Sequence, residues 1–241
     1  MVNSAETFSG ATDSLAIDCS RPVFTDAIAI GGNNNTLKLH GLPNEMEALL
    51  VIFSYLLGSV PSGLIIGKLS GLDVRKAGSG NIGATNVARL LGKTGGLLTL
   101  VGDTAKGFIP VLVVQQMGFS YLVTALVGVA AFLGHLYPIF LKFKGGKGVA
   151  TYIGLLLGVF WPGMLIFCGL WLLVAFASRY SSLAALVASA LTPFGLWLLG
   201  QSEAAALFLA LSILLWFMHR ANVARLMNGT EGKIGARAEP K

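Results

Sequence analysis

The run Gly78-Ser79-Gly80-Asn81-Ile82-Gly83-Ala84-Thr85-Asn86, with Arg89 and Lys93 just beyond it, gathers glycines, hydroxyls and amides between two apolar segments. Ser79, Asn81, Thr85 and Asn86 can donate to phosphate oxygens, and Gly80 and Gly83 permit close backbone approach to a ligand. From Ala84 to Leu91 the pattern predicts a short helix that presents Arg89 on the same side as Thr85. The chemistry these types suit is anion binding, and a phosphate fits it best.

Three further segments carry donors. Lys144-Gly145-Gly146-Lys147-Gly148 lacks the Gly-x4-Gly-Lys-Ser/Thr spacing and the strand of a Walker A loop. Its glycines instead predict that Lys147 approaches a phosphate over exposed backbone amides, Gly146 among them. Arg179-Tyr180-Ser181-Ser182 fills a tight turn and is a weak pattern, explained about as well by a snorkelling Arg and turn serines. His219-Arg220-Ala221-Asn222-Val223-Ala224-Arg225, followed by Gly229-Thr230-Glu231, places His219, Asn222 and Arg225 at steps of three on a helix leaving a membrane. His219 is also a general-base candidate near its ordinary pKa.

The elements that must position these segments belong in lipid. Hydrophobic residues make up 54% of the 241 and charged residues 12%, about half the usual share of a soluble chain; the mean hydropathy is +0.74. The expected fold is an all-α integral membrane protein with seven crossings, at 47–67, 97–116, 121–141, 149–161, 163–177, 183–200 and 204–218. With the N-terminus outside and the C-terminus cytoplasmic, one face collects Lys68, Arg75, Lys76, Arg89, Lys93, Lys142, Lys144, Lys147 and Arg179. It also collects Arg220, Arg225, Lys233, Arg237 and Lys241, while the opposite loops near 117–120, 162 and 201–203 carry no Lys or Arg. Merging the two short spans at Trp161-Pro162-Gly163 would send Arg179 and the basic C-terminus to the wrong side. All four donor segments therefore fall on the cytoplasmic face. Basic loops serve topology in most membrane proteins, but topology has no use for repeated glycines around a lysine.

Residues 1–45 are polar and lack the basic region and apolar run of a signal peptide. They read as a disordered extension, or as sequence upstream of a true start at Met46, ahead of a membrane domain at 46–235 and a cytoplasmic tail at 236–241. Cys19 and Cys168 imply neither a disulfide framework nor a metal site. Asp103 and Lys106 stand three apart at the cytoplasmic start of the second span, where they can pair and brace the site. His135 reads as a satisfied packing histidine.

Taken in order, GSGNIGATN with Arg89, KGGKG and HRANVARLMNGTE closely resemble the motifs of the bacterial acyl-phosphate:glycerol-3-phosphate acyltransferase (PlsY) family, over about residues 47–235. Gly58-Ser59-Val60-Pro61-Ser62-Gly63 and Gly102-Asp103-Thr104-Ala105-Lys106-Gly107 fit it as well. The resemblance implies transfer of a fatty acyl group from acyl-phosphate to the 1-hydroxyl of sn-glycerol 3-phosphate, yielding lysophosphatidic acid and phosphate in phospholipid biosynthesis. It implies the bacterial inner membrane, no cofactor or metal, no nucleic acid, and a link to the enzyme that makes acyl-phosphate. Carried onto this chain it implies Ser79, Arg89, Lys147, His219 and Asn222 as catalytic residues. Gly80, Asn81, Thr85, Asn86, Gly146, Ser182, Arg225 and Glu231 complete a substrate-binding set.

Other classes fit less well. The residues five after His40, His135 and His219 are Glu45, Phe140 and Ala224, so the His-x4-Asp signature of another acyltransferase class is missing. In the membrane region Asp73 and Asp103 are the only aspartates, too few for a metal-dependent phosphotransferase. A transporter of phosphate esters or other organic anions is the alternative, but transporters place their sites near the midplane and usually show internal repeats.

Overall fold

The computed structural model describes residues 44–236. What was expected of residues 1–43 and of the tail beyond 236 lies outside them. Among the described residues every regular element is helical: α1 (Glu45–Gly58), α2 (Ser62–Leu69), α3 (Ala84–Gln116), α4 (Tyr121–Leu136), a 3-10 turn (Ile139–Leu141), α5 (Val149–Val159), α6 (Trp161–Ser178), α7 (Ser181–Leu198), α8 (Ser202–Met218) and α9 (Arg220–Met227).

Local chemistry sets the ends of these helices. Asn44 caps α1 by accepting from Glu47 N at 2.9 Å, and Ser120 caps α4. Gly118 and Gly200, at φ +74° each, close α3 and α7 while Phe119 N and Gln201 N donate back to Val114 O and Leu196 O. The predicted short helix at 84–91 forms, and it runs into the second span through Gly92, whose φ of 78° and ψ of −176° break the helical path.

Five spans are long and apolar enough to cross a membrane: Glu45–Leu69, Ala84–Gln116, Tyr121–Leu141, Trp161–Ser178 and Ser181–Leu198. Joining α8 to α9 across a 59° bend adds a sixth. The expected crossing at 149–161 is present as a helix, but α5 has 11 residues. At 1.5 Å per residue it spans about 16 Å, roughly half the hydrocarbon thickness.

The helices approach one another over small residues, as membrane helices do when no solvent drives them together. A Cβ at Gly58 would strike Ala131 O, and one at Gly134 would strike Tyr55 O, so α1 and α4 touch backbone to backbone. Ser54 Oγ and Tyr55 OH stitch the same pair by donating to Val127 O and Tyr137 O, each at 2.7 Å. Gly107 and Gly154 bring α3 against α5 in the same way. Behind α5 lies an aromatic core, with Tyr152 centred 5.1 Å from Phe167 and 5.0 Å from Phe208. This rigid scaffold presents the N-termini of α3 and α5, the α6–α7 turn and the α8–α9 bend at one end.

Candidate active site

The glycine-asparagine loop is organised from within by Asn86. That side chain is 2% exposed; its Oδ1 accepts from Ser79 N at 2.9 Å, and its Nδ2 donates to Asn81 O at 2.8 Å and Val74 O at 3.1 Å. Gly80 N donates to Ala77 O, and Gly78 and Gly80 hold φ of 58° and 73°, the left-handed turn conformations that glycine takes freely. The amide of Asn86, expected to meet a phosphate, is thus spent on the loop, as are the N–H groups of Ser79 and Gly80. What the loop turns outward is the exposed Ser79 and the half-buried Asn81, with Arg89 and Thr85 on the helix that follows.

The lysine-glycine turn is likewise bound to its neighbour. Gly145 N donates to Leu136 O and Gly146 N to His135 O, each at 3.1 Å, so the two amides satisfy carbonyls that the end of α4 leaves open. They are not the exposed amides expected around Lys147, and Gly146 offers a ligand no free N–H. Lys147 follows in the chain, with Gly148 at φ 85° leading into α5. The donors that remain are the Lys147 ammonium and the first-turn N–H groups of α5 and α3, which have no intrahelical partner.

The third and fourth segments meet at Glu231. Its Oε1 accepts from Ser182 Oγ at 2.6 Å and from Asn222 Nδ2 at 2.7 Å, and its Oε2 accepts from Arg225 Nε at 2.7 Å. The carboxylate therefore ties the α6–α7 turn to α9. The helix bends at His219, so Asn222 and Arg225 share the α9 face turned to Glu231 while His219 sits at the bend itself. Past Glu231 the chain crosses the first motif: Arg89 Nη2 donates to Gly232 O at 2.8 Å, and Ile234 N donates to Arg179 O at 2.7 Å. Thr85 Oγ1 and Ser181 Oγ lie 3.0 Å apart. The first, third and fourth donor segments are thus joined by hydrogen bonds, and the lysine-glycine turn stands near enough for Lys147 to feel Arg225, Glu231 and Arg89. The contact of Ser181 with the first motif, and the grip of Gly232 on Arg89, had no sequence signal beyond the turn serines and a glycine.

Charge dominates this end of the molecule. Burial, with Arg225 and Arg89 adding to it and Glu231 opposing, brings the Lys147 ammonium down to about 8. Burial also lowers His219 to about 4, aided by Lys147 and opposed by its bond to Leu215 O and by Glu231. His219 is therefore neutral at pH 7. Its Nδ1 lies 2.8 Å from Leu215 O, a group that only accepts, which puts the ring proton on Nδ1 and leaves Nε2 with a lone pair. Burial would raise Glu231, but the bonds from Ser182, Asn222 and Arg225 outweigh it and hold the carboxyl below its ordinary value. Asn222 Oδ1 is buried and has no hydrogen-bond partner among the described residues. Three cations (Arg89, Lys147 and Arg225) thus share the site with one carboxylate, a neutral imidazole and an unsatisfied amide oxygen, a set of donors and acceptors whose chemistry suits a polyol phosphate.

Residues 48–229 match the family described as glycerol-3-phosphate acyltransferase. The chain belongs to that family. A glycerol-3-phosphate acyltransferase of a Bradyrhizobium species (strain BTAi1) is 54% identical over 196 residues, covering 81% of this chain and 98% of the relative. One from Brucella anthropi is 50% identical over 188 residues, covering 78% and 92%. Among solved structures, PlsY, an integral membrane glycerol 3-phosphate acyltransferase in its glycerol 3-phosphate form, aligns at TM-score 0.75 and 42% identity, over 79% of this chain and 96% of that one. Its lysophosphatidic acid form aligns at TM-score 0.74 and 41% identity over the same shares. The chain is accordingly a multi-pass membrane acyltransferase of the PlsY family.

Proposed function

We propose that the protein transfers a fatty acyl group from an acyl-phosphate to the 1-hydroxyl of sn-glycerol 3-phosphate, releasing lysophosphatidic acid and inorganic phosphate. The observation that carries this is the junction of Arg89, Lys147 and Arg225 with a neutral His219 in one partly buried site. Two phosphate-bearing substrates that must meet repel one another, and three cations offset that repulsion. Ser79, Arg89 and Lys147 hold the phosphates, with Asn81, Thr85 and the remaining guanidinium donors of Arg225 around them. Ser182 and Glu231 set Asn222 and Arg225, while Asn86 and Gly146 act through the loops they shape.

In the transfer step the glycerol 1-hydroxyl oxygen attacks the acyl carbonyl carbon, the bond from that carbon to the phosphate oxygen breaks, and an ester forms. The hydroxyl proton needs an acceptor. Burial holds His219 well below its ordinary value, so its ring is a poor proton acceptor. The donor's own phosphate oxygen therefore takes the proton. With the 1-hydroxyl proton passing to the phosphate, His219 Nε2 accepts a hydrogen bond from the glycerol 2-hydroxyl instead and so orients the substrate, with Asn222 Oδ1 as a further acceptor in the site.

The distribution of Lys and Arg supports seven crossings in the bacterial inner membrane, with the N-terminus outside and the site facing the cytoplasm. A short α5 suits that arrangement, because the turn that opens a helix shorter than the bilayer lies nearer the acyl carbonyl of a lipid-soluble donor. The test is phosphate release from a long-chain acyl-phosphate by the purified full-length protein in detergent. Release should depend on glycerol 3-phosphate and fall at least about a hundredfold in Lys147→Ala, as removal of a charge-stabilising donor does. Release that ignores glycerol 3-phosphate, or no release, sinks the proposal.

A further inference from the structure

Next to the Lys147 turn lies a cluster of buried charge that the transfer step does not use. Asp103 and Lys106, on α3, are 2% and 4% exposed. Lys106 Nζ stands 2.9 Å from Asp103 Oδ1 and donates to Val60 O at 2.8 Å, at the break between α1 and α2. His135, in the last turn of α4, is 3% exposed and holds Nδ1 3.8 Å from the same carboxylate oxygen. Lys106 approaches Asp103 Oδ1 as a charge, not along a hydrogen-bond direction; neither that oxygen nor His135 Nδ1 makes a hydrogen bond among the described residues. His135 was expected to be a satisfied packing histidine, and it is not.

The other side of this ring faces the site. A Cβ added at Gly146 would strike His135 Nε2, and its three nearest atoms would all belong to that imidazole, with Cε1 at 2.8 Å and Cδ2 at 3.2 Å. Gly146 N also donates to His135 O. Gly146 thus rests on the ring of His135, and Lys147 is the next residue. Thr151 Oγ1, in the first turn of α5, donates to Asp103 O at 3.1 Å, so the cluster grips both flanks of the turn. Charges buried in a membrane helix bundle are costly, and one that serves only cohesion is replaceable by apolar contact.

We propose that Asp103, Lys106 and His135 form a positioning cluster that aims Lys147: the ion pair fixes the imidazole, and the imidazole sets the height of Gly146 and hence the path of the lysine. The proposal rests on Lys147 binding a substrate phosphate. His135 touches no substrate; it acts through Gly146.

The test is a double-mutant cycle on the full chain, reading kcat per folded enzyme for glycerol-3-phosphate-dependent phosphate release, with melting temperature measured alongside. Gly146→Ala drives a methyl group into the ring and should lower kcat about a hundredfold, the scale of a misplacement near 1 Å. His135→Ala should also lower kcat, yet Gly146→Ala added to it should cost no more than about twofold, because the atoms it would strike are gone. A packing role alone would move the melting temperature and leave kcat of the folded fraction unchanged. The proposal is overturned if Gly146→Ala keeps wild-type kcat, or if the two losses multiply in the double variant. A wild type with no such activity would refute the acyl-transfer assignment and this inference with it; an active wild type with uncoupled variants refutes the inference alone.

Discussion

Lys147→Arg should change the pH dependence of the reaction, and the structure says by how much. Burial, reinforced by Arg225 and Arg89, brings the Lys147 ammonium to about 8, far below its ordinary value. The sign follows directly: the cation is present below that pH and lost above it, so kcat/KM holds its plateau at neutral pH and falls as pH rises. About a tenth of the free enzyme keeps the cation at pH 9 and about a hundredth at pH 10, so kcat/KM should fall in the same proportions. Nothing else assigned to the reaction titrates there, since phosphate monoesters complete their ionisation near pH 6 and His219 is already neutral above about 4. A bound phosphate restores the proton affinity of the lysine, so the limb in kcat should lie at higher pH than the limb in kcat/KM. An arginine cannot be deprotonated. Lys147→Arg, slower because a planar fork replaces a point charge, should therefore run flat through about pH 10. The assay is initial phosphate release at subsaturating glycerol 3-phosphate from about pH 6 to 10, corrected for spontaneous hydrolysis of the acyl-phosphate. Absence of a wild-type limb below pH 10, or the same limb in Lys147→Arg, would refute Lys147 as the titrating cation.

Other outcomes follow from single contacts. Asn86→Ala removes the acceptor of Ser79 N and the donors to Asn81 O and Val74 O; at about 1 kcal/mol for each bond, stability should drop by about 3 kcal/mol, read as melting temperature in detergent. An unchanged melting temperature would mean that the loop does not depend on this amide. Glu231→Gln keeps an acceptor for Ser182 and Asn222 but turns an NH2 group towards Arg225 Nε, losing a charge-assisted bond of about 1.5–3 kcal/mol. KM for glycerol 3-phosphate should rise, and wild-type kinetics in that variant would show the junction to be dispensable. Gly134→Ala forces a methyl group against Tyr55 O, a backbone atom of α1 that cannot swing aside. It should cost about 1–3 kcal/mol, whereas Gly169→Ala, open on all sides, should cost nothing measurable in the same unfolding experiment.

The helices and the break at Trp161-Pro162 were legible because lipid demands long apolar runs and basic residues report the loops between them. The short helix at 84–91 was legible from its spacing, and so was the gathering of four donor segments at one end. The error lay in how an anion site is built. Repeated glycines suggested backbone amides open to a phosphate, but Gly145 and Gly146 spend theirs on the last carbonyls of α4, and Ser79 and Gly80 spend theirs inside the first loop. Composition counts donors; it cannot say which are already taken, because the acceptors come from residues that only the fold brings near. Glu231 shows the same limit from the other side. An acid among residues meant for anions looks misplaced until Ser182, 49 positions away, and Arg225 are seen to converge on it. His135 extends the point, since its buried ring means little until Gly146 is found resting against it. The amides thus shape the loops, and the ligand is left to flexible cations on a rigid frame. If so, Lys147→Ala and Arg89→Ala should be far more harmful to kcat/KM than to the melting temperature, and Asn86→Ala should lower both.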